Sequence, residues 1–240
     1  NKDNSPLSGL PNLQGQTGLA NSDEVGIDVF GRTLKNDPFG VDLEGITRAD
    51  DGTYWMADEY RPSILHFDTT GKLIERYVPK RSNISGVNTG VEALPRVYGQ
   101  RRANRGFEAI AYQNGKVYAF IQSALDNPDT ANDSNSRNSL NLRILEFDPV
   151  TKRTTGEYIY SLDSFNVDKI VDATSLGNGK FLVVERDDNS GSGAFKKVFQ
   201  IDLAGATDLT KANTGGLKGK TIEAASLSEL TEAGIKPVSK

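Results

Sequence analysis

The chain has 240 residues, 36% of them hydrophobic and 25% charged, which excludes a disordered or fibrous protein and leaves ample material for a buried core. A net charge of −4, with Lys and Arg scattered, provides no basic stripe, so nucleic acid is excluded as a partner. No apolar run approaches the roughly 18 residues needed to span a bilayer, and the absence of Cys removes disulfides, thiol nucleophiles and thiolate zinc sites.

The amino end, Asn1-Lys2-Asp3-Asn4-Ser5-Pro6, has neither Met nor an apolar signal core, which predicts an already processed, exported chain, extracellular or periplasmic in a bacterial setting. Residues 1–24 are rich in Gly, Pro, Asn and Ser and read as a surface segment. Val25, Ile27 and Val29 alternate with polar neighbours, predicting a strand within Glu24 to Leu34. A first repeat, 42–79, reads as four strands: one through Ile46, then Tyr54 to Asp58, Ile64 to Asp68 and Leu73 to Val78. Asp50-Asp51-Gly52 and Thr69-Thr70-Gly71 supply its hairpin turns.

A second repeat, 105–160, turns at Asn114-Gly115, runs through Lys116 to Gln122, and carries a polar insertion, Asp126 to Asn141, before the strand Leu142 to Asp148. A third, 171–205, turns at Gly177-Asn178-Gly179, runs through Phe181 to Arg186, loops over Asp187 to Ala194 and returns in Lys197 to Asp202. Residues 206–240 read as a polar connection with a short helix, Ser226 to Ala233, ending on an apolar stretch, Ile235 to Val238, that resembles the entrance to another strand.

The repeats share an acidic opening. Glu44, Glu108 and Asp172 lie 64 residues apart, twice over, and each third strand closes on Asp, at Asp68, Asp148 and Asp202. Short strands and turns recurring on this scale predict an all-β fold, a β-propeller of four-stranded blades with about three to four blades in this chain. Three blades do not close a ring, so further blades of a six- or seven-bladed propeller are expected beyond residue 240, as a carboxyl-terminal partner within the same polypeptide.

The strings Asp42-Leu43-Glu44-Gly45-Ile46, Trp55-Met56-Ala57-Asp58-Glu59-Tyr60-Arg61-Pro62-Ser63-Ile64, Asn104-Arg105-Gly106-Phe107-Glu108-Ala109-Ile110-Ala111, Ile121-Gln122-Ser123-Ala124-Leu125 and Val183-Val184-Glu185-Arg186-Asp187, in this order, resemble the bacterial phytase-like family called "esterase-like activity of phytase". The resemblance covers about residues 38–205. It implies hydrolysis of phosphoric or carboxylic esters. A more distant likeness to calcium-dependent β-propeller phytases implies a small phosphorylated or ester substrate and Ca²⁺. Another Glu-Gly motif and an acidic cluster of that family are not in this sequence.

First-strand residues at equivalent positions of a propeller ring its central channel, which would gather Glu44, Glu108 and Asp172. Asp42, Asp58, Glu59, Glu185, Asp187 and Asp188 add acids near the same loop ends, a set of hard oxygen donors suited to Ca²⁺. Arg61, Arg105 and Arg186 sit beside these acids and offer forked donors to phosphate oxygens. Glu44 and Glu108 with the three arginines form the candidate catalytic set. Asp42, Glu44, Asp58, Glu59, Glu108, Asp172, Glu185 and Asp187 form the candidate metal set.

The competing reading has each carboxylate capping its own sheet and each arginine bridging a neighbouring acid, within a non-catalytic calcium- or ligand-binding scaffold. Serine-triad chemistry lacks a base. The one histidine, His66, alternates with apolar neighbours, and no Gly-x-Ser-x-Gly occurs. Trp55 and the other strand aromatics read as packing between blades. Asn83-Ile84-Ser85 and Asn132-Asp133-Ser134 match the glycosylation acceptor pattern, which arises readily by chance.

Overall fold

The computed structural model describes residues 1–12, 25–83, 87–130, 136–164 and 167–240. Half of the amino-terminal surface segment, part of the 126–141 insertion, and one or more residues of both acceptor triplets therefore lie outside the described residues. Three sheets follow one another along the chain. The first contains β1 (Leu43–Arg48), β2 (Tyr54–Asp58), β3 (Ser63–Phe67), β4 (Leu73–Pro79) and β5 (Val91–Leu94), antiparallel except that β5 runs parallel to β4. The second contains β6 (Phe107–Gln113), β7 (Lys116–Ile121), β8 (Asn141–Asp148) and β9 (Arg153–Ser161), and the third β10 (Lys169–Gly177), β11 (Lys180–Arg186) and β12 (Lys196–Asp202). The one α-helix among the described residues is α1 (Leu227–Glu232), opened by a capping box between Ser226 and Glu229.

Local chemistry accounts for the hairpins. Asn114-Gly115 and Asn178-Gly179 both hold two consecutive positive φ values, the twist that matches a two-residue hairpin. The recurrent Asp at the end of each third strand accepts backbone N–H groups from the following turn: Asp68 from Thr70 and Lys72, Asp148 from Val150, Asp202 from Ala204.

The expected strand at 24–34 does not form among the described residues. Only a bridge between Ile27 and Thr33 is present, because Asp28 turns the chain by accepting from the N–H groups of Phe30 and Arg32, and Val25, Ile27 and Val29 are exposed with no sheet to pair with.

Aromatic side chains wedge the sheets together. Trp55 and Tyr77 of the first sheet meet Phe147 of the second at centroid distances of 6.0 and 4.6 Å, and Tyr118 and Phe120 of the second meet Phe181 of the third at 4.9 and 5.7 Å. Within the first sheet His66 stacks on Trp55 at 4.0 Å and its Nε2 bonds Thr53 Oγ1. The carboxyl-terminal segment covers β9: Ile159 packs with Leu217, Ile222, Leu230 and Ile235, and the N–H groups of Leu209 and Val238 donate to the carbonyls of Glu157 and Ile159. Buried Arg143 anchors it from below by pairing with Glu223 at 2.6 Å.

The opening strands β1, β6 and β10 lie side by side, with β6 in the middle. Two glycines permit the approach. A Cβ on Gly45 would sit 2.9 Å from the Ile110 backbone nitrogen, and one on Gly106 would sit 2.0 Å from the Glu59 carbonyl oxygen. Both neighbours are backbone and cannot swing aside.

Candidate functional site

Each opening strand carries a β-bulge at the same place. Leu43 pairs Asp58 and Gly45 pairs Ala57, leaving Glu44 as the extra residue. Phe107 pairs Ile121 and Ala109 pairs Phe120, leaving Glu108. Ile170 pairs Glu185 and Asp172 pairs Val184, leaving Val171. The residue equivalent to Glu44 and Glu108 is therefore Val171, and the 64-residue spacing that singles out Asp172 is off by one. A bulge redirects one side chain out of the strand alternation, so a one-residue offset decides which side chain faces the site. Asp172 is exposed and accepts from the Ala173 N–H at 2.8 Å.

The same register aligns two further sets. Asp42, Gly106 and Lys169 each stand two residues before the bulge residue. Opposite them, at the ends of the second strands, stand Glu59, Gln122 and Arg186: the N–H of Glu59 donates to the Asp42 carbonyl, that of Gln122 to the Gly106 carbonyl, and Lys169 pairs Arg186 in register. Of these positions Glu59, Gln122, Lys169 and Arg186 line a pocket of about 410 Å³ together with Glu44, Glu108 and the 103–105 turn that carries Arg105. Its wall changes from acidic on the first sheet, through Glu108 and Gln122 on the second, to basic on the third.

On the acidic side, carboxylate oxygens of Asp42, Glu44 and Glu59 all lie within 4.8 Å of one another. Gln122 Nε2 donates both to Glu59 Oε1 at 2.6 Å and to Glu108 Oε2 at 2.5 Å, tying the first sheet to the second. Burial and the neighbouring charges of Glu108, Asp42 and Glu44 push the Glu59 carboxyl up to about 9. Burial pushes Glu108 up to about 7, while the Gln122 bond and the cations Lys169 and Arg186 pull the other way. Glu44 is also raised, by burial and then by Asp42.

On the basic side, Arg105 pairs with Asp168 at 2.8 Å, Lys169 with Asp188 at 2.9 Å and with Asp168 at 3.4 Å, and Arg186 with Asp188 at 3.0 Å. These ion pairs leave three cationic groups facing a space across from the carboxylates.

Five candidate residues lie away from both this pocket and the carboxylate cluster, and strand alternation explains two of them, Asp58 and Glu185. Asp58 precedes Glu59, so its side chain points to the opposite face. There it is fully buried and accepts from the N–H groups of Asp42 and Tyr60, Ser63 Oγ and Asn12 Nδ2. Glu185 precedes Arg186 and is likewise fully buried, accepting from Tyr160 OH, the Asp163 N–H and Lys240 Nζ. Asp187 is held by Lys196 at 2.7 Å and by Asn189, which keep its carboxyl far below the usual range. Arg61 is buried against Thr89 Oγ1 and the Asn12 carbonyl. Asp172, the fifth, is misplaced by the bulge offset already described.

Sequence reasoning missed Lys169 and Gln122. Both were within reach: Lys169 is found by aligning the third repeat one residue earlier, and Gln122 by reading across from Glu59 on the equivalent second strand.

The described residues form three sheets with a carboxylate-and-cation pocket at the openings of their first strands. The family model for phytase-like proteins, described as "Esterase-like activity of phytase", matches residues 8–240, and the chain belongs to that family. An "Uncharacterized secreted protein" of the fungus Arthroderma benhamiae is 30% identical over 185 residues, 64% of this chain and 36% of the relative, so the chain spans about a third of that protein's length. Among solved structures, Kuenenia stuttgartiensis hydrazine synthase aligns at 12% identity with a TM-score of 0.39, over 73% of this chain and 44% of that one. The tail fiber of Staphylococcus aureus phage P68 aligns at 12% identity with a TM-score of 0.36, over 65% of this chain and 27% of that one. No helix among the described residues is long and apolar enough to cross a membrane.

Proposed function

We propose that the chain forms part of an exported, calcium-dependent hydrolase of phosphate monoesters, with the graded pocket as its active site. The observation that carries this reading is one pocket lined by Glu44, Glu59 and Glu108 together with Arg105, Lys169 and Arg186, with Asp42 clustered beside Glu44 and Glu59. The donor set fits the ion: Asp42, Glu44 and Glu59 offer hard oxygens close enough to share one cation, and Ca²⁺ takes such ligands in flexible geometry. Burial first and the neighbouring carboxylates second raise the Glu44 and Glu59 carboxyls, a cost that a cation bound between them would offset. Bound there, Ca²⁺ would supply charge neutralisation for an anionic oxygen.

In this reading Arg105, Lys169 and Arg186 bind the phosphoryl oxygens and hold the ester in one orientation. Glu108, positioned by Gln122, accepts the proton of the attacking water. The P–O ester bond breaks, the new P–O bond comes from water, and the alcohol leaves with a proton. The three sheets are then blades of a six- or seven-bladed propeller with the pocket at its channel mouth, a reading supported by the side-by-side opening strands. The relative described as secreted supports a location outside the cell.

The test is hydrolysis of 4-nitrophenyl phosphate and 4-nitrophenyl acetate with Ca²⁺ and with excess chelator. Phosphate release that is abolished by chelation and restored by Ca²⁺ is expected. Undiminished turnover in chelator refutes the calcium reading, turnover of the acetate alone refutes the phosphate reading, and calcium binding without turnover of either ester leaves a non-catalytic scaffold.

A further inference from the structure

Two side-chain ties cross from sheet to sheet at the pocket. Gln122 joins the first sheet to the second through Glu59 and Glu108. Asp168 joins the second to the third. It stands directly before β10, its N–H donates to the Arg186 carbonyl of β11, and its carboxylate lies 2.8 Å from Nη1 of Arg105, which leads into β6. The two atoms in contact, Asp168 Oδ2 and Arg105 Nη1, are both sealed from solvent.

This contact is the end of a longer row. Asp168 also meets Lys169 at 3.4 Å, Lys169 meets Asp188 at 2.9 Å and Asp188 meets Arg186 at 3.0 Å, so the side chains Arg105, Asp168, Lys169, Asp188 and Arg186 alternate in sign. The three cations of the row line the pocket and the two acids do not. Long cationic side chains gathered in one place repel each other and gain entropy by spreading into solvent, and carboxylates set between them oppose both tendencies. Lys169 and Arg186 stand on strands paired in register, and Asp188 between them is 64% exposed. Arg105 comes from another sheet, and its ion pair with Asp168 is the only one it makes among the described residues. The acid that matters most to the shape of the cationic wall is therefore Asp168.

We propose that Asp168 is a positioning residue: by holding Arg105 against the third sheet it sets Arg105 and Lys169 as one fork for an oxyanion, and so determines phosphate affinity without touching phosphate. The inference rests on the hydrolase reading for its effect on turnover, and binding of inorganic phosphate tests it without turnover. The sign of the effect separates positioning from charge. As a negative group near the pocket Asp168 repels an anion, so losing its charge alone would tighten phosphate binding about two- to threefold for charges on the order of 8 Å apart in water. Losing a positioning residue weakens binding instead.

The experiment measures inorganic phosphate binding by calorimetry with Ca²⁺ present, and KM and kcat for 4-nitrophenyl phosphate, in the parent and in Asp168→Asn. Phosphate affinity about tenfold weaker and KM about tenfold higher are expected, the loss of about one hydrogen bond to a charged group, with kcat within about threefold. Asp168→Glu, which keeps the carboxylate, should recover most of the affinity. Asp168→Asn added to Arg105→Ala should weaken phosphate binding no further than Arg105→Ala alone, because Asp168 acts through Arg105. Unchanged or tighter phosphate binding in Asp168→Asn overturns the proposal, as does full additivity in the double variant or the absence of phosphate binding by the parent. Phosphate binding without turnover is a failure of the hydrolase reading alone, and calorimetry then still decides the role of Asp168.

Discussion

Gly106→Ala tests how the pocket is assembled. The new Cβ would stand 2.0 Å from the Glu59 carbonyl oxygen, 2.6 Å from its carbon and 2.8 Å from Glu59 Cα, all backbone atoms. One of the two chains must retreat by about 1 Å or more, and overpacking with no flexible neighbour falls at the upper end of about 1–3 kcal/mol. For a chain of this length about 3 kcal/mol corresponds to a melting temperature lowered by roughly 6–12 °C. The retreat also parts Glu59 from Glu108, which Gln122 now holds within two hydrogen bonds of each other, so Ca²⁺ should raise the variant's melting temperature less than it raises the parent's. Gly193→Ala is the control, since a Cβ there meets nothing within 4 Å. Melting followed by circular dichroism, with and without Ca²⁺, reads both effects. A Gly106→Ala protein that melts within about 1 °C of the parent and responds equally to Ca²⁺ refutes the reasoning.

Three other outcomes follow from the same geometry. Glu59 and Glu108 bind a proton more tightly folded than unfolded, so without a cation their contribution is fully present below the ordinary carboxyl value and is lost as pH rises through about 7 for Glu108 and about 9 for Glu59. The Glu108 part is at most about 3 kcal/mol before solvent screening at the pocket mouth reduces it. Melting temperature in chelator should fall between pH 5 and 9, with a shallower fall in Glu108→Gln, and a flat profile sinks the argument. Asp58→Ala removes a fully buried acceptor of four hydrogen bonds beside buried Arg61 and Arg76, and urea unfolding should show a loss of about 3–5 kcal/mol, against little change for exposed Glu44→Gln. Arg105→Ala should lower kcat/KM for 4-nitrophenyl phosphate about ten- to a hundredfold with a small stability change. Arg61→Ala should instead unfold at lower urea, so matching stability losses in the two variants would contradict their different placement.

Local chemistry made much of the fold legible. Alternation over Tyr54–Asp58, a Gly turn and the closing Asp of each third strand are short-range signals, and the strands they mark form where expected. The parallel strand β5 reaches β4 across a longer connection that short-range patterning does not carry, whereas β9 pairs with β8 through the short turn after Asp148 and went unmarked although its partner is local. The segment at 25–34 shows the reverse: its alternation is real, but with no neighbouring sheet edge it stays a turn.

At the site, the recurrence of acids and arginines at strand openings is legible in the chain, because residue type and rough period are written there. Which of them share a space was decided only by tertiary structure. A bulge transfers the third opening position from Asp172 to Val171, and alternation turns Asp58 and Glu185 inward while Glu59 and Arg186 face the pocket. Both effects turn on a single residue of register, which is fixed when strands pair and when Gly45 and Gly106 let the sheets close on one another.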